Sequence, residues 1–184
     1  MKRNLRTVAL MIAIALIQTL WANTSAQVRN PFSIGTFHSP KGFGVCMEMN
    51  SDSLSFDALT LIADMHGVLT GEHPRPGVKF TYTRDIIFRH FDKEGYYVDM
   101  YAGPGLTAGY ARDVSKPLCL IAGLSGVAGT RFTFSRNLSV NIELCADIAL
   151  ELCRNSRYGN IDLSLYKSGI NHIFFPQLRI HYCF

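Results

Sequence analysis

Carboxylate and imidazole side chains that share one face of a predicted strand are the first candidates for chemistry. Asp64 and His66 lie two positions apart, so a strand places them on the same face, and His181 lies on the polar face of the last strand. Such groups could act as general acid and base in a lipid-modifying hydrolase. The base would have to reach a nucleophile, and the serines on the polar faces are Ser125, Ser139 and Ser164. No Gly-x-Ser-x-Gly motif marks one of them, so we predict no catalytic residue.

The same polar faces carry charges of both signs, which favours a structural network over an active site. An ionised group removed from water is stable only when it is paired, so charges inside a fold must neutralise one another. We predict an interior charge network that consists of Asp64, His66, Asp99, Arg131, Glu143, Asp147, Arg179 and His181. Three further carboxylates on the same faces are Glu48, Asp85 and Glu151.

A three-residue turn at 135–137 sets the register of the two longest predicted strands. Phe134 then faces Leu138, and Arg131 lies opposite Asn141. Glu143 is diagonally across from Arg131, within reach of a long side chain. We therefore predict an ion pair between Arg131 and Glu143.

The cysteines indicate an oxidising compartment rather than a metal site. The hairpin register places Cys119 opposite Cys153, and we predict a disulfide between them because disulfides persist outside the cytoplasm. Cys46 and Cys183 fall on the polar faces of the first and last predicted strands, and five cysteines leave at least one thiol unpaired. The cysteine spacing matches no zinc motif, so we predict no metal and no other cofactor.

Apolar and polar residues alternate with a period of two through most of the chain, which predicts β-strands. The segments 118–134 and 138–152 follow this alternation with few exceptions. A transmembrane strand needs about 9–11 residues, whereas strands of soluble proteins average about 5–6. We predict eight strands, near 43–49, 55–66, 78–90, 96–110, 118–134, 138–152, 160–166 and 174–184.

The composition of the polar faces distinguishes two kinds of barrel. These faces hold mainly small or charged residues, which suit the narrow interior of an eight-stranded barrel. A soluble lipocalin-type barrel, which also has eight strands, would need an apolar interior and a polar exterior. We therefore predict an all-β fold, an eight-stranded antiparallel up-and-down transmembrane β-barrel with its apolar faces toward lipid.

The last predicted strand has an apolar face that ends on an aromatic residue: Leu178, Ile180, Tyr182 and Phe184. This strand resembles the closing strands of small eight-stranded bacterial outer-membrane barrels, the class of the OmpA transmembrane domain and OmpX. The resemblance implies that the barrel-assembly machinery recognises these four residues. It also implies an outer-membrane location in contact with lipopolysaccharide. It transfers no catalytic or ligand-binding residue to this chain.

The N-terminal segment has the features of a secretory signal peptide recognised by the Sec pathway. Lys2, Arg3 and Arg6 precede an apolar run, and small residues lead to a predicted cleavage after Ala26. Removal of residues 1–26 lowers the formal net charge from +4 to +1, which argues against nucleic acid as a partner. We predict a periplasmic lead-in at 27–42, with a short extra strand at 33–37 as an open alternative, and the barrel at 43–184.

The predicted strand order has an unusual consequence for the connections. If the last strand ends in the periplasm, the short turns at 51–53, 92–95, 135–137 and 167–170 face the cell exterior. Outer-membrane barrels normally place their short turns in the periplasm.

The sequence favours a non-catalytic outer-membrane barrel of a Gram-negative bacterium, with a structural, surface-interaction or narrow-pore role. An eight-stranded lumen is filled by side chains, which argues against a general porin. One alternative is an outer-membrane enzyme that hydrolyses or transfers the acyl chains of lipid A. The other is a soluble periplasmic barrel that binds lipid.

Overall fold

The computed structural model describes residues 31–69, 76–112, 118–135, 137–154, 161–171 and 174–184. The predicted signal peptide (1–26) and the start of the predicted lead-in (27–30) lie outside these ranges. Two short helices occur in the described ranges, α1 (His66–Leu69) and α2 (Lys167–Asn171). Neither is long and apolar enough to cross a membrane.

The described residues form nine antiparallel strands: β1 (Phe32–Ser39), β2 (Gly42–Asp52), β3 (Ser55–Asp64), β4 (Gly77–Lys93), β5 (Tyr96–Arg112), β6 (Leu118–Ser135), β7 (Leu138–Arg154), β8 (Ile161–Leu165) and β9 (Gln177–Cys183). Strands β1 to β7 pair in sequence order, β7 pairs with β9, and β9 pairs with β1. This ring of eight strands closes the sheet, and β8 pairs with β7 alone among the described strands. The predicted eight-stranded antiparallel barrel is confirmed.

Strands β8 and β9 occupy the same position beside β7, one after the other. Residues 138–143 of β7 pair with β9, and residues 150–154 pair with β8. The predicted turn at 167–170 is therefore wrong, because the chain does not reverse there. Helix α2 interrupts a single strand position, held to β7 by the Tyr166 N–H, which donates to the Ala149 carbonyl at 2.9 Å.

The eighth strand of the ring is β1, which lies inside the segment predicted as a periplasmic lead-in. It pairs with β2 on one side and with β9 on the other, so the barrel begins at Phe32 and not at residue 43. The alternation does not reveal this strand, because Phe37 faces the interior while Thr36 and His38 are exposed.

Removal of the false turn at 167–170 also removes the unusual arrangement of the connections. The turns at 53–54, 94–95 and 136–137 lie at the edge of the barrel that holds Phe32 and Cys183, here called the short-turn edge. Residues 65–76, 113–117 and 155–160 connect strands at the opposite, long-connection edge, where the turn at 40–41 is the one short connection between described strands. Outer-membrane barrels have this same distribution of short and long connections.

Apolar side chains cover the outside of the barrel, and polar side chains point inward. On β7, Ile142, Ile148 and Leu150 are exposed, whereas Asn141 and Glu143 are fully buried. Aromatic residues lie near both edges, with Phe32 and Phe184 at the short-turn edge and Phe43 and Tyr110 toward the other. A soluble barrel would show the opposite distribution of polarity.

Two β-bulges change local register. One lies between Ile87 and Arg89, so Ile87 is buried and Arg89 is exposed, although the alternation predicts Arg89 inside. The other makes Ser135 pair with Leu138, so the predicted facing of Phe134 and Leu138 is wrong. Beyond that bulge the β6–β7 register agrees with the prediction, with Arg131 opposite Asn141.

Glycines on β6 differ in the space around them. A Cβ atom at the inward-facing Gly123 would overlap backbone atoms of Ile148 and Ala149 on β7. At Gly126, which lies between the buried Ser125 and Val127, nothing lies within 4 Å of the Cβ position. The close approach of β6 and β7 therefore depends on the absence of a side chain at Gly123.

We predict that Gly123→Ala lowers the thermal stability of the detergent-solubilised barrel, because the added methyl group forces β6 and β7 apart. Overpacking of this kind costs about 1–3 kcal/mol. The measurement is the temperature at which the fast gel band of the unboiled barrel disappears. Gly126→Ala is the matched control on the same strand, and equal losses from both variants would contradict the close-approach explanation.

Candidate functional site

The centre of the lumen holds an ion pair between strands on opposite sides of the ring. Arg131 on β6 donates from Nη2 to Glu48 Oε2 on β2 at 2.5 Å, and both side chains are buried. The Asn141 amide donates to the other oxygen of Glu48 at 2.8 Å. The predicted partner of Arg131 was Glu143, and this prediction is wrong. Glu143 lies on the strand next to that of Arg131, whereas the arginine side chain extends across the lumen to Glu48 on the opposite strand.

Glu143 pairs instead with Arg179 on β9, whose Nη2 lies 2.8 Å from Glu143 Oε1. The Tyr101 hydroxyl donates to the other oxygen of Glu143 at 2.9 Å. Arg179 Nη1 lies 3.9 Å from Glu48 Oε1, and His181 Nε2 lies 3.2 Å from the same oxygen. Glu48 therefore links the two ion pairs into one central network.

Further ion pairs lie toward each edge. Toward the long-connection edge, Lys79 Nζ lies 2.5 Å from Asp147 Oδ2, and the Ser125 hydroxyl donates to Asp147 Oδ1 at 2.7 Å. Toward the short-turn edge, His90 Nδ1 lies 2.6 Å from Asp99 Oδ1. The predicted network includes both carboxylates but neither Lys79 nor His90. The alternation places Lys79 on a polar face, so its position alone could have identified it.

Asp64 and His66 lie at the end of β3 on the long-connection edge, away from the central network. Asp64 is partly exposed and lines a small pocket together with Lys41 and Gln177. His66 begins α1, and its side chain lies outside the described part of the chain. The structure thus does not show these two residues as an acid–base pair.

Apolar side chains fill the space between the ion pairs, which the alternation does not predict. One buried cluster contains Phe56, Ala58, Ile87, Tyr101, Val127 and Cys145. The Arg131 guanidinium lies 4.0 Å from the centroid of the Phe56 ring, and Phe56 packs edge-on against Tyr101. Cation–π contact and ion pairing together hold this arginine in place.

The buried imidazole of His181 lies beside two groups that could act as nucleophiles and beside one carboxylate. His181 Nδ1 lies 3.4 Å from the Ser33 hydroxyl, and its Nε2 lies 3.6 Å from Cys46 Sγ, beside Glu48. In the described part of the chain, the three predicted serines contact other groups: Ser125 contacts Asp147, Ser139 contacts Cys183, and Ser164 contacts Glu151. Two of these serines thus contact carboxylates inside the barrel, and the third contacts a thiol.

A disulfide joins Cys119 to Cys153, the same two residues that the hairpin register places opposite each other. It lies on the inner face of the barrel near the long-connection edge. Glu151 lies close to both sulfur atoms, but sulfur in a disulfide is not a thiolate ligand for a metal. Among the remaining cysteines, Cys46 and Cys145 are buried thiols and Cys183 is partly exposed.

Comparison with known proteins agrees with this architecture. No protein-family description and no curated protein sequence matches the chain. Among solved structures, the chain is similar to the N-terminal β-barrel domain of OprF from Pseudomonas aeruginosa. The TM-score is 0.51 at 13% identity, over 86% of this chain and all of that one. The chain has the fold of a small outer-membrane β-barrel. At this identity the likeness concerns the fold alone.

Within this outer-membrane barrel fold, the last strand has the orientation that its sequence predicts. Leu178, Ile180, Tyr182 and Phe184 all point outward. Hydrogen bonds from the Cys183 and Phe184 N–H groups to the carbonyls of Asn137 and Phe32 join the end of the chain to both neighbouring strands. Recognition of these four outward-facing residues by the barrel-assembly machinery stays a prediction.

We predict that Arg131→Ala destabilises the barrel strongly, because it leaves Glu48 buried without its main counter-charge. Removal of one partner of a buried pair costs about 3–5 kcal/mol. Thermal unfolding in detergent is the measurement, and Arg84→Ala, at an exposed arginine on β4, is the control. A double-mutant cycle separates the two candidate partners: coupling should be larger for Arg131 with Glu48 than with Glu143. The reverse order would contradict the structure.

We predict that alkylation of the denatured, unreduced protein labels three of its five cysteines, because Cys119 and Cys153 are joined. Prior reduction should raise the number to five. The Cys119→Ser variant should accept one label more than the wild type without reductant, since Cys153 becomes free. Mass spectrometry counts the labels, and five labels on the unreduced wild type would show that no disulfide forms.

Proposed function

We propose that this protein is a non-catalytic outer-membrane protein with a closed lumen, which acts as a structural or surface-interaction element of the bacterial envelope. The observation that carries this proposal is the network of Glu48, Arg131, Glu143 and Arg179, which joins strands on different sides of the ring. An eight-stranded barrel has an interior just wide enough for side chains. We infer that paired charges packed against aromatic rings block an aqueous path through the described part of the lumen.

The exterior and the edges support a location in the outer membrane. An outward apolar band with aromatic residues at both edges is the surface that outer-membrane barrels present to lipid. The short-turn edge then faces the periplasm and the long-connection edge faces the cell surface. Lipopolysaccharide is the partner of the outer apolar wall in this proposal. The barrel-assembly machinery is the transient partner that recognises the last strand.

The function, on this proposal, is carried by the long-connection edge, where connections can vary without affecting the barrel. The lumen contributes rigidity, because each ion pair ties together strands that are distant in sequence. A narrow-pore role would require the central network to open, and the cross-lumen pairs favour the closed state.

The first test is the conductance of the purified, folded barrel in planar lipid bilayers, after cell fractionation has established that it is recovered with outer membranes. We expect no stable conductance above that of the lipid alone, whereas a porin prepared in the same detergent should conduct. Stable single-channel steps would instead establish the narrow-pore role.

The lipid-modifying alternative is tested on the same cells. Lipid A from cells with and without the protein should have the same masses if the barrel does no chemistry. Loss or gain of an acyl chain only in the presence of the protein would overturn the non-catalytic proposal.

A further inference from the structure

Buried acidic groups outnumber permanent cations inside the described part of the barrel. The buried carboxyl groups are Glu48, Asp85, Asp99, Glu143, Asp147 and Glu151, and the buried permanent cations are Lys79, Arg131 and Arg179. An unbalanced charge out of water is costly. Within the described part of the lumen, lysine and arginine supply three of the six positive charges that would balance these carboxyl groups if all were ionised.

The partners of the permanent cations leave one central carboxyl group without an ion pair. Arg131 lies against Glu48, Arg179 against Glu143, and Lys79 against Asp147. Asp85, on β4, is fully buried and forms no salt bridge in the described structure. The Thr83 hydroxyl donates to Asp85 Oδ2 at 2.9 Å, and Asp85 Oδ1 has no hydrogen-bond partner among the described residues.

The surroundings of Asp85 come from several strands. Phe56 lies directly opposite on β3, and Gly103 on β5 is so close that a Cβ atom there would overlap Asp85 Oδ1. The charged groups that interact electrostatically with Asp85 are Arg179 on β9, Glu143 on β7 and Glu48 on β2. Arg179 is attractive but already paired, and the two glutamates are repulsive.

We propose that Asp85 binds a proton and is a neutral carboxylic acid in the folded barrel, so that the charges of Arg131 and Arg179 balance those of Glu48 and Glu143. A metal ion is a poorer candidate for this site, because hard cations need several oxygen ligands. No group of three metal-ligating side chains surrounds Asp85 in the described ranges.

Loss of this proton places a third carboxylate against two guanidinium groups. Arg179 then has competing partners in Asp85 and Glu143, and the central network becomes negatively charged. Alkaline pH should therefore loosen the contents of the lumen before it unfolds the barrel.

The decisive experiment is infrared spectroscopy of the folded barrel at neutral pH, in wild type and in Asp85→Asn. We expect the carbonyl-stretch band of a protonated carboxylic acid in the wild type and its loss in Asp85→Asn. Asp147→Asn is the control, because it removes a carboxylate that is paired with Lys79 and leaves Arg179 and Glu143 in place, and the band should persist there. A wild type without the band, or a band that survives Asp85→Asn, would overturn the proposal.

Thermal unfolding supplies a second readout. The folded protein holds a proton that the unfolded chain releases, so a rise in pH should favour unfolding of the wild type. Asp85→Asn should keep nearly the wild-type melting temperature at neutral pH and lose this component of the pH dependence. If it melts as low as Glu143→Gln, Asp85 is an ionised partner of Arg179 and the proposal fails. If sodium or potassium alone raises the melting temperature of the wild type above that of Asp85→Asn, Asp85 binds a metal ion and the proposal is overturned.

Discussion

Closure of the sheet is the constraint on which the rest of this structure depends. Lipid offers no hydrogen-bond partner to a free N–H or C=O group, so a membrane-spanning sheet has to pair its first strand with its last. Here residues 33–38 of β1 pair with 178–183 of β9. Closure also divides the side chains into two sets, and those on the inside can be satisfied only by one another.

The inward set explains why charged residues are useful in a fold that gains little stability from burying them. A buried ion pair roughly offsets its own desolvation, so its contribution to net stability is small, whereas an unpaired partner is costly. A slip of one residue between neighbouring strands would turn Glu48 or Arg131 toward the outside of the barrel. The network thereby penalises incorrect registers more than it stabilises the correct one, and it joins strands that adjacent pairing leaves unrelated.

Local patterns predict local structure well in this chain and long-range partners poorly. Strands β5 to β7 follow the alternation, as does β4 up to its bulge, and the hairpin register predicts the pair Cys119–Cys153, because both depend on nearby residues. The partner of Arg131 depends on closure of the ring, which brings Glu48 across the lumen from far away in the sequence. The alternation fails at β1 for a similar reason. Phe37 points inward, and an inward aromatic side chain fits only where the opposite wall leaves room for it.

A single misplaced turn has a larger effect than a misplaced strand boundary, because each reversal exchanges the two edges of the barrel. The alternation continues through 161–165 and 177–183, so it cannot distinguish two strands joined by a turn from one strand interrupted by α2. The turn predicted there adds a strand, and the missed β1 removes one, so the total of eight is correct for the wrong strands. The two errors cancel in the number of strands but not in the assignment of connections to the two edges. One false reversal assigns every connection before it to the wrong edge, and for that reason the lengths of the connections detect an error that the strand number conceals.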